Sequence, residues 1–329
     1  MRKLMYFLLV LMLLSGCGSR ATAPPSEPSD APGETAEDVV EPEPEPAPVS
    51  PLSGVPLVSP GTLVAAVVDN SSSARPQTGL SEADVVYEVL AEGGITRLLA
   101  LYHSRAPEVV GPIRSTRPYF TMLAKEWNAI LAHCGGSEEG LGEIKRLNVI
   151  SANEMYDPTG YFRDTSRAAP HNLYMSVPGV RNRVKNELPE PTPRWELALA
   201  QGDPASSIRI RYGPEYEVKY VLEDGKYMRY VNGSPHRDKE TGSQLFASTI
   251  VVQYARSRVA YAYLALDVEL VGKGKAEYFI GGVPSEGTWE KASKESPTRY
   301  LDRDGKTVAF APGQIWIQIV PLEAQVTYE

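Results

Sequence analysis

Ile315-Trp316-Ile317-Gln318-Ile319-Val320 is the stretch on which the fold turns. Only Gln318 interrupts the apolar run, so the stretch lacks the alternation of a strand with one wet face. A short, nearly continuous apolar run is the pattern of a strand buried on both sides, and it is predicted to be a central strand. Upstream of it, short β-prone runs follow one another: Ile208–Tyr212, Tyr216–Leu222, Met228–Val231, Thr249–Gln253, Ala260–Leu264, Asp267–Leu270, Ala276–Ile280, Thr298–Leu301 and Val308–Phe310. Gly, Asp and Asn punctuate many of them. Regular short strands with turn signals imply a β-rich domain, barrel- or sandwich-like, over 207–329.

The first half reads differently. Leu63–Val68 is an apolar strand ending at Asp69-Asn70, and Val85–Ala91 and Thr96–Tyr102 form a predicted hairpin across Gly93-Gly94. Ser115 or Thr116 is placed to cap a helix with Pro118 in its first turn, a position proline tolerates. Tyr119, Met122, Leu123 and Trp127 then share one helical face. Ala129–His133 is a further strand. Ser137–Leu147 is a helix with acids early and Lys145-Arg146 late, which suits the helix dipole. Another helix is predicted within Met175–Leu188, and a short helical turn over Arg194–Ala200. The fold class is therefore α+β, with a mixed α/β domain over 61–190, a linker over 191–206 rich in proline on both flanks, and the β-rich domain.

Ahead of these lies an address. Arg2-Lys3, an apolar core from Leu4 to Leu14 and the small residues before Cys17 have the layout of a bacterial lipoprotein signal over 1–17. The core is too short to span a bilayer, which takes roughly 20 residues. Cys17 is the expected lipidation (palmitate) site, and stable anchoring takes more than one acyl chain. The expected localisation is the extracytoplasmic face of the cell membrane. Cys134 is then the one thiol of the folded part, which must be stabilised by its core rather than by disulfides. Residues 18–60 hold eleven prolines and eight acids against Arg20, the composition of a disordered Pro/Glu-rich tether. At roughly 3.1 Å per residue it would reach on the order of 130 Å. The chain's net charge is −8, and most of it sits in this tether, so the folded part is nearly balanced. Nucleic acid is an unsuitable partner for such a surface.

Several phrases resemble the YerB-like family of bacterial lipoproteins: Gly79–Glu88, Glu92–Arg97, Val110–Tyr119, Ala169–Tyr174, Gly287-Thr288-Trp289, Ser296–Arg299 and Pro312–Gln318. They are spread over most of 75–320. The resemblance implies an N-terminal and a C-terminal module, both of unknown function, and an envelope address; it implies no reaction. The chain departs from the family string His-Ala-Gly-Gly-Ser at Cys134, which argues against a role for the thiol.

Among residues able to carry chemistry, Arg114, Ser115 and Arg117 stand where a helix begins, and Gly135-Gly136 follow a strand. Exposed N–H groups with arginines suit an anion. The competing reading pairs both arginines with internal acids such as Asp84, Glu88 or Glu92. A second polar set comprises Glu88, Glu92, Arg97, His133, Arg163, Asp164, His171 and Asn172, where a histidine could be a ligand or a proton carrier. Glu88 and Glu92 on one strand would lie about 13 Å apart, beyond the roughly 5–9.5 Å of glycosidase carboxylate pairs. In the second half, Asn232 and His236 occupy a turn, and Lys291 and Arg299 could line a polar surface. No metal or cofactor is expected, for HExxH, CxxC and nucleotide-binding glycine patterns are absent.

The leading expectation is a non-catalytic binding or scaffold protein recognising an anionic group on a wall polymer or envelope protein. It requires Arg114, Arg117, His133 and His171 to converge in the open, with no carboxylate on either histidine. The alternative is an envelope hydrolase using His133 or His171 with a carboxylate such as Glu88 or Asp164. It requires a histidine–carboxylate contact in a cleft.

Overall fold

A computed structural model describes residues 47–184, 188–193, 195–259 and 266–329. The signal with Cys17, most of the tether and the expected strand Ala260–Leu264 lie outside the described residues. The first half contains β1 (Val64–Asp69), β2 (Val85–Leu90), β3 (Thr96–Tyr102), α1 (Pro118–Glu126), β4 (Ile130–His133), α2 (Glu138–Arg146), β5 (Ser151–Asn153), β6 (Tyr161–Arg163), β7 (Leu173–Met175) and α3 (Val177–Arg181). The second begins with β8 (Glu196–Leu197), β9 (Ser207–Gly213), β10 (Tyr216–Glu223), β11 (Lys226–Val231), β12 (Ser234–Pro235), β13 (Phe246–Ala247), β14 (Thr249–Tyr254) and β15 (Ser257–Val259). It continues with β16 (Leu266–Val268), β17 (Gly272–Ile280), β18 (Val283–Lys291), β19 (Arg299–Asp302), β20 (Ala309–Phe310), β21 (Ile315–Val320) and β22 (Gln325–Tyr328).

The fold is α+β, helix-poor and strand-rich. Its centre is a ten-stranded sheet in the order β19-β18-β17-β14-β21-β2-β3-β1-β4-β5. The central strand expected from Ile315–Val320 is β21, all six residues of which are buried. It runs parallel to β14 on one side and to β2 on the other. Five strands come from before the 191–206 stretch and five from after it, so one sheet passes through both halves and β21 joins them.

Three layers result. Tyr119, Phe120 and Leu123 of α1 pack on one sheet face with Val67, Leu99 and Leu131. The other face, near β14 and β21, is covered by a smaller sheet, β12-β11-β10-β9-β22 with β13 paired to β11. There Ile208, Ile210, Val218, Tyr220 and Tyr227 pack against Ile250, Val252, Phe279 and Trp316. Burying both faces is what lets β21 dispense with alternation.

Three expectations are corrected. The tether does not extend to Pro60, because Leu52 is fully buried and Ser53 Oγ donates to Asp84 Oδ1 at 2.5 Å. The described residues of Arg194–Ala200 form no helical turn. Glu196-Leu197 instead pairs in parallel with β20, and Trp195 packs on Trp127 and Phe310. Helix α1 starts at Pro118 as expected, but its cap position is Arg117, with no side-chain capping bond from Ser115 or Thr116.

Strands β1, β4 and β5 are mutually parallel. Asp69, His133 and Asn153 therefore end them at the same edge, the carboxyl edge where α/β sheets characteristically place ligands. The hairpin of β6 and β7 brings its loop, including His171, to Asp69 at that edge.

Candidate functional site

Asp69 organises the carboxyl-edge corner. Its Oδ1 accepts the Ser71 N–H at 2.9 Å, closing the turn after β1. Its Oδ2 lies 2.7 Å from His171 Nδ1 and 3.1 Å from Arg114 Nε. The carboxylate is 3 % exposed, whereas Arg114 is 28 % and His171 22 % exposed. Burial pushes the Asp69 carboxyl up, but the Ser71 N–H, Arg114 and His171 outweigh it and hold it below its ordinary value. One buried anion thus holds two partly exposed nitrogen bases side by side. Among the described residues, no nitrogen of the Arg114 side chain makes a hydrogen bond, its contact with Asp69 being an ion pair without hydrogen-bond geometry at the buried Nε, and His171 Nε2 makes none either. Ser71 Oγ stands 3.3 Å from His171 Nδ1, the same nitrogen that meets Asp69. A Ser-His-Asp relay needs the hydroxyl on the opposite nitrogen, so this is not one.

The surroundings are cationic. Arg167 donates to the carbonyls of Ser73, Ala74, Arg75 and Pro76 and to Tyr174 Oη, pinning the turn after β1 against the β6–β7 loop. Arg75 donates to Asn70 O at 2.9 Å. Neither Arg75 nor Arg167 has a carboxylate partner among the described residues. Arg163 bridges Glu154 at 3.1 Å and Asn172 Oδ1 at 3.2 Å. Lys239, from the second half, reaches Asp164 at 2.8 Å. With Arg114, five cations here face Asp69, Glu154 and Asp164.

The anion cradle expected from Arg114, Arg117 and Gly135-Gly136 does not form as such. Arg117 closes on Glu92 through Nε and Nη2 and on Thr116 O through Nη1, so all three of its nitrogens are engaged within the protein. Arg97 takes the other Glu92 oxygen at 2.8 Å and also holds the Ser115 carbonyl. The Gly135 N–H is spent on Asn153 Oδ1 at 2.9 Å. Gly136 is small for packing: a Cβ there would meet Thr116 Cγ2 at 2.8 Å.

His133 is not a proton carrier. It is buried, with Nδ1 on Gly135 O at 2.7 Å and Nε2 on Ser151 Oγ at 2.8 Å. Burial pushes its pKa down to about 4. The Cys134 thiol donates to Glu154 Oε2, and burial with that carboxylate pushes it up to about 11, so it carries no thiolate chemistry at neutral pH.

Glu88 is fully buried and belongs to a closed polar ring. Arg229 Nη2 donates to its Oε2 at 2.6 Å, and Asn70, Thr96 and Tyr216 donate to its Oε1. Arg229 Nε donates to His236 Nδ1 at 3.0 Å, His236 Nε2 meets Gln77 Oε1 at 2.7 Å, and Gln77 Nε2 returns to Asn70 Oδ1 at 2.8 Å. Because Arg229 must donate to Nδ1, His236 carries its proton on Nε2. The ring ties the second half to Asn70, the residue after Asp69. It makes Glu88 and His236 structural. The remaining second-half candidates are dispersed. Lys291 is buried against Glu126 at 2.6 Å, Arg299 pairs with Glu290 at the surface, and Asn232 closes a turn onto Glu217 N.

The two buried neutral histidines predict a pH dependence. Burial, then Arg229 and Arg75, push His236 well down. The unfolded chain takes up these protons below about pH 6.5 while the fold excludes them, so their stabilisation is complete above that value and declines as pH falls toward 4. For His133 alone the decline amounts to about 3 kcal/mol. Urea midpoints at pH 7.5, 6 and 4.5 should fall monotonically, less steeply for His133→Asn; a flat profile would refute the assignment.

Of the expected site residues, the structure brings together Arg114, His171, Asn172, Arg163 and Asp164. Sequence reasoning missed Asp69, Ser71, Arg75 and Arg167. The available signal was Asp69-Asn70-Ser71-Ser72-Ser73-Ala74-Arg75, a polar run at the carboxyl end of an apolar strand.

Two sequence profiles cover most of the folded part. "Protein of unknown function (DUF3048) N-terminal domain" matches residues 52–190, and "Protein of unknown function (DUF3048) C-terminal domain" matches 208–317. A Bacillus subtilis (strain 168) protein named "Putative lipoprotein YerB" is 33 % identical over 274 residues, which are 78 % of this chain and 81 % of that one. The crystal structure of the YerB protein from Bacillus subtilis superposes with a TM-score of 0.77 at 31 % identity, covering 85 % of this chain and 99 % of that one.

Proposed function

We propose, from the premise that this chain belongs to the DUF3048 family of proteins of unknown function, that it is a membrane-anchored lipoprotein on the extracytoplasmic face which binds an anionic group of an envelope component. The lipobox ending at Cys17 and the name of the Bacillus subtilis relative support the anchor. One observation carries the binding reading: Asp69 holds Arg114 and His171 together while Arg114 Nη1 and Nη2 and His171 Nε2 remain open to a ligand. A guanidinium fork suits a carboxylate or phosphate, and a protonated imidazole adds a second donor. The unneutralised Arg75 and Arg167 give the corner a positive field on a chain that is negative overall.

The test is co-sedimentation of the full chain with purified envelope fragments. Arg114→Ala and His171→Ala should each weaken binding about tenfold, the scale of one charge-assisted hydrogen bond, and salt should weaken the wild type. Unchanged binding by both variants would remove the corner from the interface.

A second reading has its own observation. The His171–Asp69 contact of 2.7 Å is the histidine–carboxylate pair a hydrolase requires and one the binding expectation excluded, as it excluded a buried His133 and an Arg117 closed on Glu92; Nε2 would serve as the general base for water. The partner is Asp69, not Glu88 or Asp164 as expected. Binding is favoured because Arg114 is 28 % and His171 22 % exposed, and a corner open to that degree leaves water around a reacting bond. Release of soluble products from the fragments, lost in Asp69→Asn, would reverse that preference.

A further inference from the structure

We infer that the ligand of this corner is an acidic polysaccharide, held by its charged group at Arg114 and His171 and by a sugar ring stacked on Phe162. This rests on the binding reading above and names its ligand class.

Phe162 is the third observation at the site. It lies in β6, directly across from Tyr174 in β7, with the two rings stacked at 6.0 Å and an interplanar angle of 21°. Tyr174 is buried and its hydroxyl is fixed by Arg167 at 2.8 Å. Phe162 is 43 % exposed, so a rigidly supported ring presents surface to solvent. The neighbouring residues connect it to the anion corner. Arg163 follows Phe162 and donates to Asn172, which follows His171. Phe162 and His171 belong to one hairpin, Phe162 within β6 and His171 two residues before β7.

The chemistry separates this ligand from others. Phe162 is followed in sequence by Arg163 and Asp164, and Lys239, which pairs with Asp164, has its Nζ 5.9 Å from the supporting Tyr174 ring. An aromatic face beside fixed polar groups suits a sugar, whose C–H face packs on the ring while its hydroxyls meet amide and charged side chains. The corner's excess of cations supplies the complement to acidic substituents.

The test uses the full chain in detergent with three probes: a galacturonate hexamer, a neutral chitin hexamer and polyphosphate. The wild type should bind the galacturonate hexamer more tightly than the neutral one. Phe162→Ala should weaken galacturonate about tenfold and leave polyphosphate unchanged. Phe162→Trp should keep binding and report it as a fluorescence change, since the native tryptophans are buried. Arg114→Ala should weaken both anions. Wild-type affinity for galacturonate in Phe162→Ala overturns the sugar inference and leaves the anion site standing, whereas equal binding of the neutral hexamer overturns the acidic nature of the ligand. Undiminished binding of both anions by Arg114→Ala overturns the anion site itself. Polyphosphate bound and galacturonate not bound shows a site for phosphate alone, against the inference.

Discussion

Glu88→Ala should lower the free energy of unfolding by about 3–5 kcal/mol, the range for removing one partner of a buried ion pair. The variant leaves Arg229, which has no exposed surface, charged inside the protein. Burial disfavours that cation, but Glu88 more than offsets it, with Tyr220 and Tyr216 helping, so the native guanidinium stays protonated. Glu88 also accepts from Asn70, Thr96 and Tyr216. Replacing both Glu88 and Arg229 by methionine should therefore not restore stability, as it can for an isolated buried pair, because the Thr96 and Tyr216 hydroxyls lose their acceptor and His236 Nδ1 its donor. Urea denaturation measures both variants. A loss under 1 kcal/mol in Glu88→Ala would show that the ring does not hold the two halves together.

Trp316→Ala should cost a comparable amount, about 3–5 kcal/mol, through the cavity left by a large core side chain. Trp316, the second residue of β21, is fully buried, its Nε1 donates to Gln314 Oε1 at 3.0 Å, and the Arg229 guanidinium lies 4.2 Å from its ring. The loss should exceed that of Trp316→Phe, which keeps an aromatic face under the guanidinium. Because β21 pairs with β14 and β2 at once, both halves should unfold in a single transition. Two separated transitions by near- and far-ultraviolet dichroism would contradict the shared sheet.

Both results bear on what the chain discloses before folding. Ile315–Val320 announces a strand buried on both faces because apolarity without alternation is local information. Its neighbours are not local. Val85 of β2 pairs with Ile315 across more than two hundred residues, and no periodicity in either segment records that parallel register. The Arg194–Ala200 segment shows the opposite failure. Its run of helix formers suggests a turn of helix, but Trp195 finds Trp127 and Phe310, and tertiary packing overrides propensity.

The corner was half legible. Arg114 and His171 stand out as polar residues beside turns. Their common partner Asp69 does not, because an acid ending a strand looks like ordinary turn chemistry until the β6–β7 loop folds over it. Arg117 shows why residue type alone misleads: it matches Arg114 in sequence setting, yet Glu92 at the hairpin tip engages its Nε and Nη2. His133 and Cys134 sit at a strand end of the same kind, but His133 is held by Gly135 O and Ser151 Oγ and Cys134 by the Glu154 carboxylate.

The central claim is that Arg114 and His171 act as one anion-binding unit because a single buried carboxylate aligns them. A double-mutant cycle of Arg114→Ala and His171→Ala, read as affinity for envelope fragments at low and moderate salt, tests it most directly. The predicted result is two weakened single variants and a double variant little weaker than either, with wild-type affinity falling as salt rises. Two single variants that bind as tightly as the wild type, at either salt, would contradict it.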